Sequence, residues 1–217
     1  MINLYNQDCM QAMREAPDNY WDLAIVDPPY GIGISKIKTY GAAKNRLTFY
    51  KPKNWDNSIP SKEYFEELKR VSKNQMIFGA NFFIEHLSPS KCWVCWDKKI
   101  GDNYYSMHEL IYTSFSYPAK IIRLHNGANR VSNNPELAKK YLRIHPTQKP
   151  IPLYEWLLSR YAKKGDKILD THLGSGSSAI AAHRMGFAFD GYEIDKDYFE
   201  GAKARLEQAQ RQLLLFG

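Results

Sequence analysis

Short apolar runs alternate with amphipathic stretches along most of the chain. Leu23 to Val26 is a continuous apolar run that stops at Asp27, the pattern of a strand buried on both faces. Residues 1–6, 75–80, 92–97, 109–115, 166–170 and 187–195 read as further strands. Between them lie helical patterns. Asp8 to Glu15 is one. Ser61 to Ser72 opens on a capping serine and carries apolar residues at helical spacing. A helix begins around Pro150 and Pro152 and stops at Gly165; residues 177–186 and 196–214 are two more.

The pattern fails in two places. Residues 31–60 form a loop, and residues 116–143, rich in Asn, Arg and Lys, form an insert. Neither breaks the chain into units, and 217 residues suit a single domain. Strands alternating with helices predict an α/β fold, a Rossmann-like and mostly parallel sheet of about seven strands with helices on both faces. Such sheets bind ligands beyond the carboxyl ends of the strands, where the strand order reverses. Two of these ends carry unusual chemistry: Asp27-Pro28-Pro29-Tyr30, and Asp170 to Ser178.

Composition narrows the setting. No apolar run is long enough to span a bilayer, and the start MINLYNQDCM lacks the pattern of a signal peptide, so a cytoplasmic location is expected. Three cysteines suit a reducing compartment. Cys92 and Cys95 have CxxC spacing, but no second pair completes a zinc site, and no metal is expected. The net charge of +7 favours a polyanionic partner. Lys36, Lys38, Lys44, Arg46, Lys51 and Lys53 interleave with Tyr40, Phe49 and Tyr50. That mixture suits a nucleic-acid groove and equally a solvated loop.

The second strand end has the form strand, glycine turn, helix. Gly174 and Gly176 let the backbone approach a ligand closely. Glu193 ends the next strand about twenty residues on, where an acid binds ribose hydroxyls. The unit reads as a site for a nucleoside-containing cofactor, with NAD among the candidates and a plain strand-to-helix turn as the alternative.

Taken together, DPPY, then HPTQKP (His145 to Pro150), then DxxxGSGS resembles the beta class of amino-DNA methyltransferases in motif content and in its circularly permuted order. The resemblance implies a methyltransferase fold that binds S-adenosylmethionine and methylates the N6 amine of a flipped adenine in double-stranded DNA. Asp at the first DPPY position goes more often with adenine; the near alternative is the N4 amine of cytosine. RNA and a catalytically silent binding module are more distant.

By the same resemblance Asp27, Pro28, Pro29 and Tyr30 are catalytic. Asp8, Cys9, Asp27, His145, Thr147, Gln148, Lys149, Asp170, Gly174, Ser175, Gly176, Ser177, Ser178, Glu193 and Ile194 line the cofactor. The loop and the short recognition insert would hold the DNA contacts, through Lys36, Lys38, Lys44, Arg46, Arg123 and Arg130. A homodimer and a cognate restriction endonuclease are the further partners the resemblance brings, in a bacterial, archaeal or phage-encoded setting. One departure stands out: Thr171 and His172 replace the proline and the aromatic residue usual in the glycine turn.

The chemistry asked of the corner is definite. An exocyclic amine is a poor nucleophile because its lone pair is delocalised into the ring. Two fixed acceptors, the Asp27 carboxylate and the Pro28 carbonyl, would turn that lone pair toward the methyl donor and stabilise the developing charge. The prolines stiffen the backbone and donate no N–H. Tyr30 would stack on the extruded base.

Overall fold

The computed structural model describes residues 1–36, 39–40, 48–49, 51–101, 106–125 and 143–216. In chain order the elements are β1 (Ile2–Tyr5), α1 (Cys9–Glu15), β2 (Trp21–Val26), β3 (Thr39–Tyr40), β4 (Thr48–Phe49), α2 (Lys62–Val71), β5 (Ser72–Phe78), β6 (Val94–Asp97), β7 (His108–Thr113) and β8 (Lys120–Arg123). They continue with α3 (Ile151–Tyr161), β9 (Lys167–Asp170), α4 (Ser177–Arg184), β10 (Ala188–Tyr192) and α5 (Lys196–Phe216).

Eight strands form one sheet in the order β1-β10-β9-β2-β5-β7-β6-β8. Among the described residues, β7 alone in this sheet runs antiparallel to its neighbours, β5 and β6; the other pairings are parallel. β3 and β4 make a separate two-residue ladder. The strands that end on Asp27 and Asp170 are neighbours in the sheet. β9 pairs with β2 through Leu23–Ile168 and Ala24–Leu169, and β1 sits at the edge beside β10.

The continuous apolar runs are explained by two cores, one on each side of the sheet. Leu23 and Ile25 of β2 join Met76 and Phe78 of β5 on one face, packed under Leu153 and Leu157 of α3 and Ile180 of α4. Ala24, Val26 and Ile77 face the other way, against Met13 of α1 and Tyr64, Phe65 and Leu68 of α2. A strand covered twice has no polar alternation to keep. The helix that follows β9 therefore lies on one face and the helix after β2 on the other. The carboxyl ends of β2 and β9 flank the switch point of the sheet.

The helix ends obey local rules. Asp8 caps α1 by accepting from the Met10 amide, and Ser61 caps α2 through the Tyr64 amide. Pro152 sits in the first turn of α3, where its missing N–H costs nothing. α4 starts from Gly176 at φ +74°, a left-handed position that suits glycine.

One difference from the sequence reading is physical. The sheet has an eighth strand, β8, inside the stretch 116–143 read as an insert; Lys120-Ile121-Ile122-Arg123 pairs with β6. A four-residue edge strand carries too little periodicity to stand out. Within the stretch 31–60, the described residues include β3, β4 and the buried Asp56.

Candidate active site

β2 delivers Asp27 to the switch point, and the chain turns there through two prolines. Pro28 is buried, and Asp27, Pro29 and Tyr30 are partly buried. The corner is held from outside. Asp56, fully buried, accepts the Tyr30 amide at 2.8 Å and the Gly31 amide at 2.9 Å on Oδ1, and the Ile34 amide at 2.8 Å on Oδ2. One carboxylate thereby satisfies three backbone donors of the DPPY loop. Gly79, at φ +61°, lies against the Tyr30 ring so closely that a Cβ would sit 2.3 Å from it. The Tyr30 ring stacks on Phe82, with centroids 5.1 Å apart and planes 14° apart.

Around Asp27 is a compact buried charge cluster. Lys149 Nζ lies 2.7 Å from Asp27 Oδ2 and 3.1 Å from Glu109 Oε1. The Tyr30 hydroxyl lies 2.7 Å from Asp27 Oδ1 and 2.6 Å from Glu109 Oε1. Lys98 Nζ is 3.1 Å from the other Glu109 oxygen. Burial raises the Asp27 carboxyl above its ordinary value; Lys149 offsets this only in part, and Glu109 adds to it. Burial also pushes Glu109 up, but Lys149 and Lys98 outweigh it and hold the group below its ordinary value. Burial pulls Lys149 down, and the two carboxylates more than restore it. The Tyr30 hydroxyl is held well above its ordinary range by burial and then by the nearby acids, so it stays protonated.

The second strand end meets this corner. Gly174 is at φ +52°, and a Cβ there would meet nothing nearer than the His145 ring at 3.7 Å. The Gly174 amide donates to Glu193 Oε2 at 2.8 Å and the Asp195 amide to Oε1 at 2.8 Å. Glu193 is thus oriented by two backbone donors, and each oxygen keeps a lone pair. Burial raises its pKa. Ile194 beside it is 69% exposed, an apolar face left open.

Asp170 is buried and accepts from Ser178 Oγ at 2.5 Å and from the His172 amide at 3.0 Å; burial pushes it up to about 7. Ser175 and Ser177 hydroxyls are 3.2 Å apart, and Arg205 donates to the Ser175 carbonyl. Gly176 packs on α5: a Cβ there would come 3.0 Å from Ala202 Cβ.

The HPTQKP segment spans both ends. The His145 ring stands 4.4 Å from Tyr198 and 5.0 Å from Trp55 between centroids. Its Nδ1 accepts the Thr147 amide, which leaves the proton on Nε2. Burial lowers its pKa to about 3, so the ring is neutral. Gln148 is buried and accepts the Ile144 amide at 3.1 Å. Lys149 takes part in the charge cluster around Asp27.

The unusual pair in the turn is internally satisfied. Tyr64 Oη is 2.7 Å from Thr171 Oγ1, which is 2.9 Å from His172 Nδ1. Burial lowers His172 to about 4, so an uncharged ring stands where the resemblance expects an aromatic one. Asp8 is exposed and serves as the α1 cap; Cys9 is buried, its thiol pushed up to about 12 by burial and then Asp8.

Of the expected DNA-contact residues, Lys36 and Arg123 are exposed, and Arg123 Nε is 3.7 Å from Asp97. Lys38, Lys44, Arg46 and Arg130 lie outside the described residues. Lys53 is committed elsewhere. Its ammonium sits 2.5 Å from Asp195 and 3.0 Å from Asp197, which ties the 51–57 stretch to the Glu193 side. Among the described residues no three His, Cys, Asp or Glu are grouped to hold a metal ion, and no helix is long and apolar enough to cross a membrane.

Sequence reasoning assigned no site role to Asp56, Glu109, Lys98 or Phe82. Lys98 and Glu109 fall in VCWDK and His108-Glu109, stretches that resemble the two strands following the catalytic one in this class.

With the two strand ends brought together in this way, the family is identifiable. The model of the N6/N4 methyltransferases, described as DNA methylase, matches residues 21–204. The chain belongs to this family and is a DNA methyltransferase. It is 28% identical to the type II methyltransferase M.HpaI of Haemophilus parainfluenzae, over 92% of this chain and 72% of that one. It is 24% identical to M.ScaI of Streptomyces caespitosus, over 98% and 83%. Among solved structures, the fold resembles the M1.HpyAVI–SAM complex with a TM-score of 0.59 at 20% identity, covering 95% of this chain and 99% of that one. It resembles the cytosine-N4-specific PvuII DNA methyltransferase with a TM-score of 0.61 at 12% identity, covering 96% and 89%.

Proposed function

We propose that this chain transfers a methyl group from S-adenosylmethionine to the N6 amine of an adenine in double-stranded DNA. The observation that carries this reading is the Asp27 carboxylate at the end of β2, beside the glycine turn that follows β9.

When bound, S-adenosylmethionine supplies a methyl group activated on a sulfonium. The residues fit such a ligand. Glu193, aligned by the Gly174 and Asp195 amides, has the lone pairs to accept ribose hydroxyls. Ile194 offers an exposed apolar surface for an adenine ring. Gly174 leaves its backbone approachable, and the neutral His145 ring lies beside it.

Asp27 accepts one N–H of the target amine and the Pro28 carbonyl accepts the other. Together they turn the lone pair toward the cofactor side and favour positive charge on nitrogen. In a duplex the amine is paired, so the adenine has to leave the stack. Tyr30 and the half-exposed Phe82 stacked on it give an aromatic platform for the extruded base.

The test is direct. Duplex DNA is incubated with enzyme and methyl-labelled cofactor, digested to nucleosides and separated. Label in N6-methyladenine is the expected result. Label confined to methylcytosine overturns the adenine reading and leaves the family unchanged.

A further inference from the structure

The Tyr30 hydroxyl has one proton and two carboxylates within reach, Asp27 Oδ1 at 2.7 Å and Glu109 Oε1 at 2.6 Å. It donates to one at a time. While it donates to Asp27, the oxygen that has to receive the target amine is already damped by a hydrogen bond. The other Asp27 oxygen is taken by Lys149 at 2.7 Å. Each Asp27 oxygen keeps a second lone pair, but an arriving N–H at Oδ1 shares that oxygen with the tyrosine proton and is accepted more weakly.

Glu109 supplies the way out. It comes from β7, the strand two places from β2 in the sheet, so it approaches Tyr30 from the side away from Asp27's own strand. Its outer oxygen is held by Lys98 at 3.1 Å, and its inner oxygen faces both the Tyr30 hydroxyl and Lys149. We propose that Glu109 is a positioning residue for methyl transfer: it accepts the Tyr30 hydroxyl as the target amine arrives, and so frees Oδ1 of Asp27 for the amine N–H. The change is a rotation of one hydroxyl, and no proton leaves the cluster. Lys98 and Lys149 keep Glu109 ionised, so it stays an acceptor across neutral pH.

This rests on the reading that Asp27 receives the amine, and the experiment separates the two. Turnover of labelled cofactor on duplex DNA is measured for wild type, Glu109→Gln, Tyr30→Phe and the double variant. In Glu109→Gln a neutral amide, a weaker acceptor, replaces the carboxylate facing the tyrosine, so the hydroxyl keeps its hydrogen bond to Asp27. The expected result is a fall in kcat of about 10- to 100-fold with KM for DNA changed little, in the range of lost transition-state hydrogen bonds. In the Tyr30→Phe background there is no hydroxyl to redirect, and the same substitution costs less than about threefold. An equal fall in both backgrounds overturns the proposal, since a merely structural or electrostatic Glu109 would be needed in either. If Glu109→Gln fails to fold, Glu109→Asp shortens the reach to the hydroxyl and gives the same two outcomes. Asp27→Ala is the separate control. Wild-type turnover there refutes the Asp27 reading itself; loss of turnover there with equal falls in the cycle refutes only the role of Glu109.

Discussion

Lys149 Nζ and Asp27 Oδ2 are 2.7 Å apart although 122 positions separate them in the chain. The HPTQKP lysine thus joins the DPPY corner. Its ammonium opposes two buried acids, and removing it leaves them facing each other.

For Lys149→Met, the ionised form of Asp27 loses its nearest stabilising charge. Its pKa then rises further, as expected on losing an opposite charge at this distance. Since the ionised carboxylate is the acceptor, the acid limb of the kcat–pH profile moves to higher pH. Stability should also fall by about 3–5 kcal/mol at neutral pH, read by urea unfolding. An unmoved acid limb would count against the charge coupling.

Asp27→Ala removes the amine acceptor and leaves the residues around Gly174 and Glu193 intact. We expect kcat to fall by roughly 10²–10³, with cofactor affinity by calorimetry close to wild type.

Asp56→Asn replaces one of two acceptor oxygens that together hold the Tyr30, Gly31 and Ile34 amides. Leaving a buried donor without its acceptor costs about 1–3 kcal/mol. The expected outcome is a lower urea midpoint accompanied by lower kcat, because the loosened segment is the DPPY corner to which the proposed function assigns the amine.

His172 gives a stability test with a defined sign. Its folded pKa of about 4 lies below the ordinary 6.5. The unfolded chain therefore binds a proton that the folded chain refuses. Stability from this group is complete above about pH 6.5 and is lost as pH falls toward 4, at about 1.4 kcal/mol per pH unit. Compared with His172→Phe, wild type should become progressively less stable over that window and show a constant difference above it. A pH-independent difference would mean that the folded ring takes up its proton as readily as the unfolded one.

Lys36 and Arg123 both present exposed positive charge. If each meets a phosphate, reversing either to Glu makes log Kobs fall less steeply with log salt, by about 0.9 for every phosphate no longer neutralised. An unchanged slope removes that residue from the DNA face.

Much of this architecture is legible in the residues alone, for a reason that can be named. β2 and β9 are buried on both faces, so their apolar runs are unbroken, and Asp27 and Asp170 mark where they end. Gly174 and Gly176 are written into the sequence because their left-handed backbone demands them. Glu109 is different. Its partners follow from the antiparallel register that sets it across from Trp96, and register is not encoded within one strand. Asp56 lies 22 to 26 positions along the chain from the amides it holds. Lys53 shows the same limit: a basic residue in a basic stretch reads as a phosphate ligand, and only folding reveals Asp195 waiting for it.

The pairing of β2 with β9 has a consequence for how the protein is made. Synthesis delivers β2 early and β9 late, on the order of ten seconds apart at ordinary translation rates. Until then one flank of β2 has β5 and the other has nothing, a bare apolar edge able to recruit a neighbouring strand. Neither Lys149 nor the glycine turn has been translated in that interval. The two strand ends at the switch point can come together only after β9 has emerged.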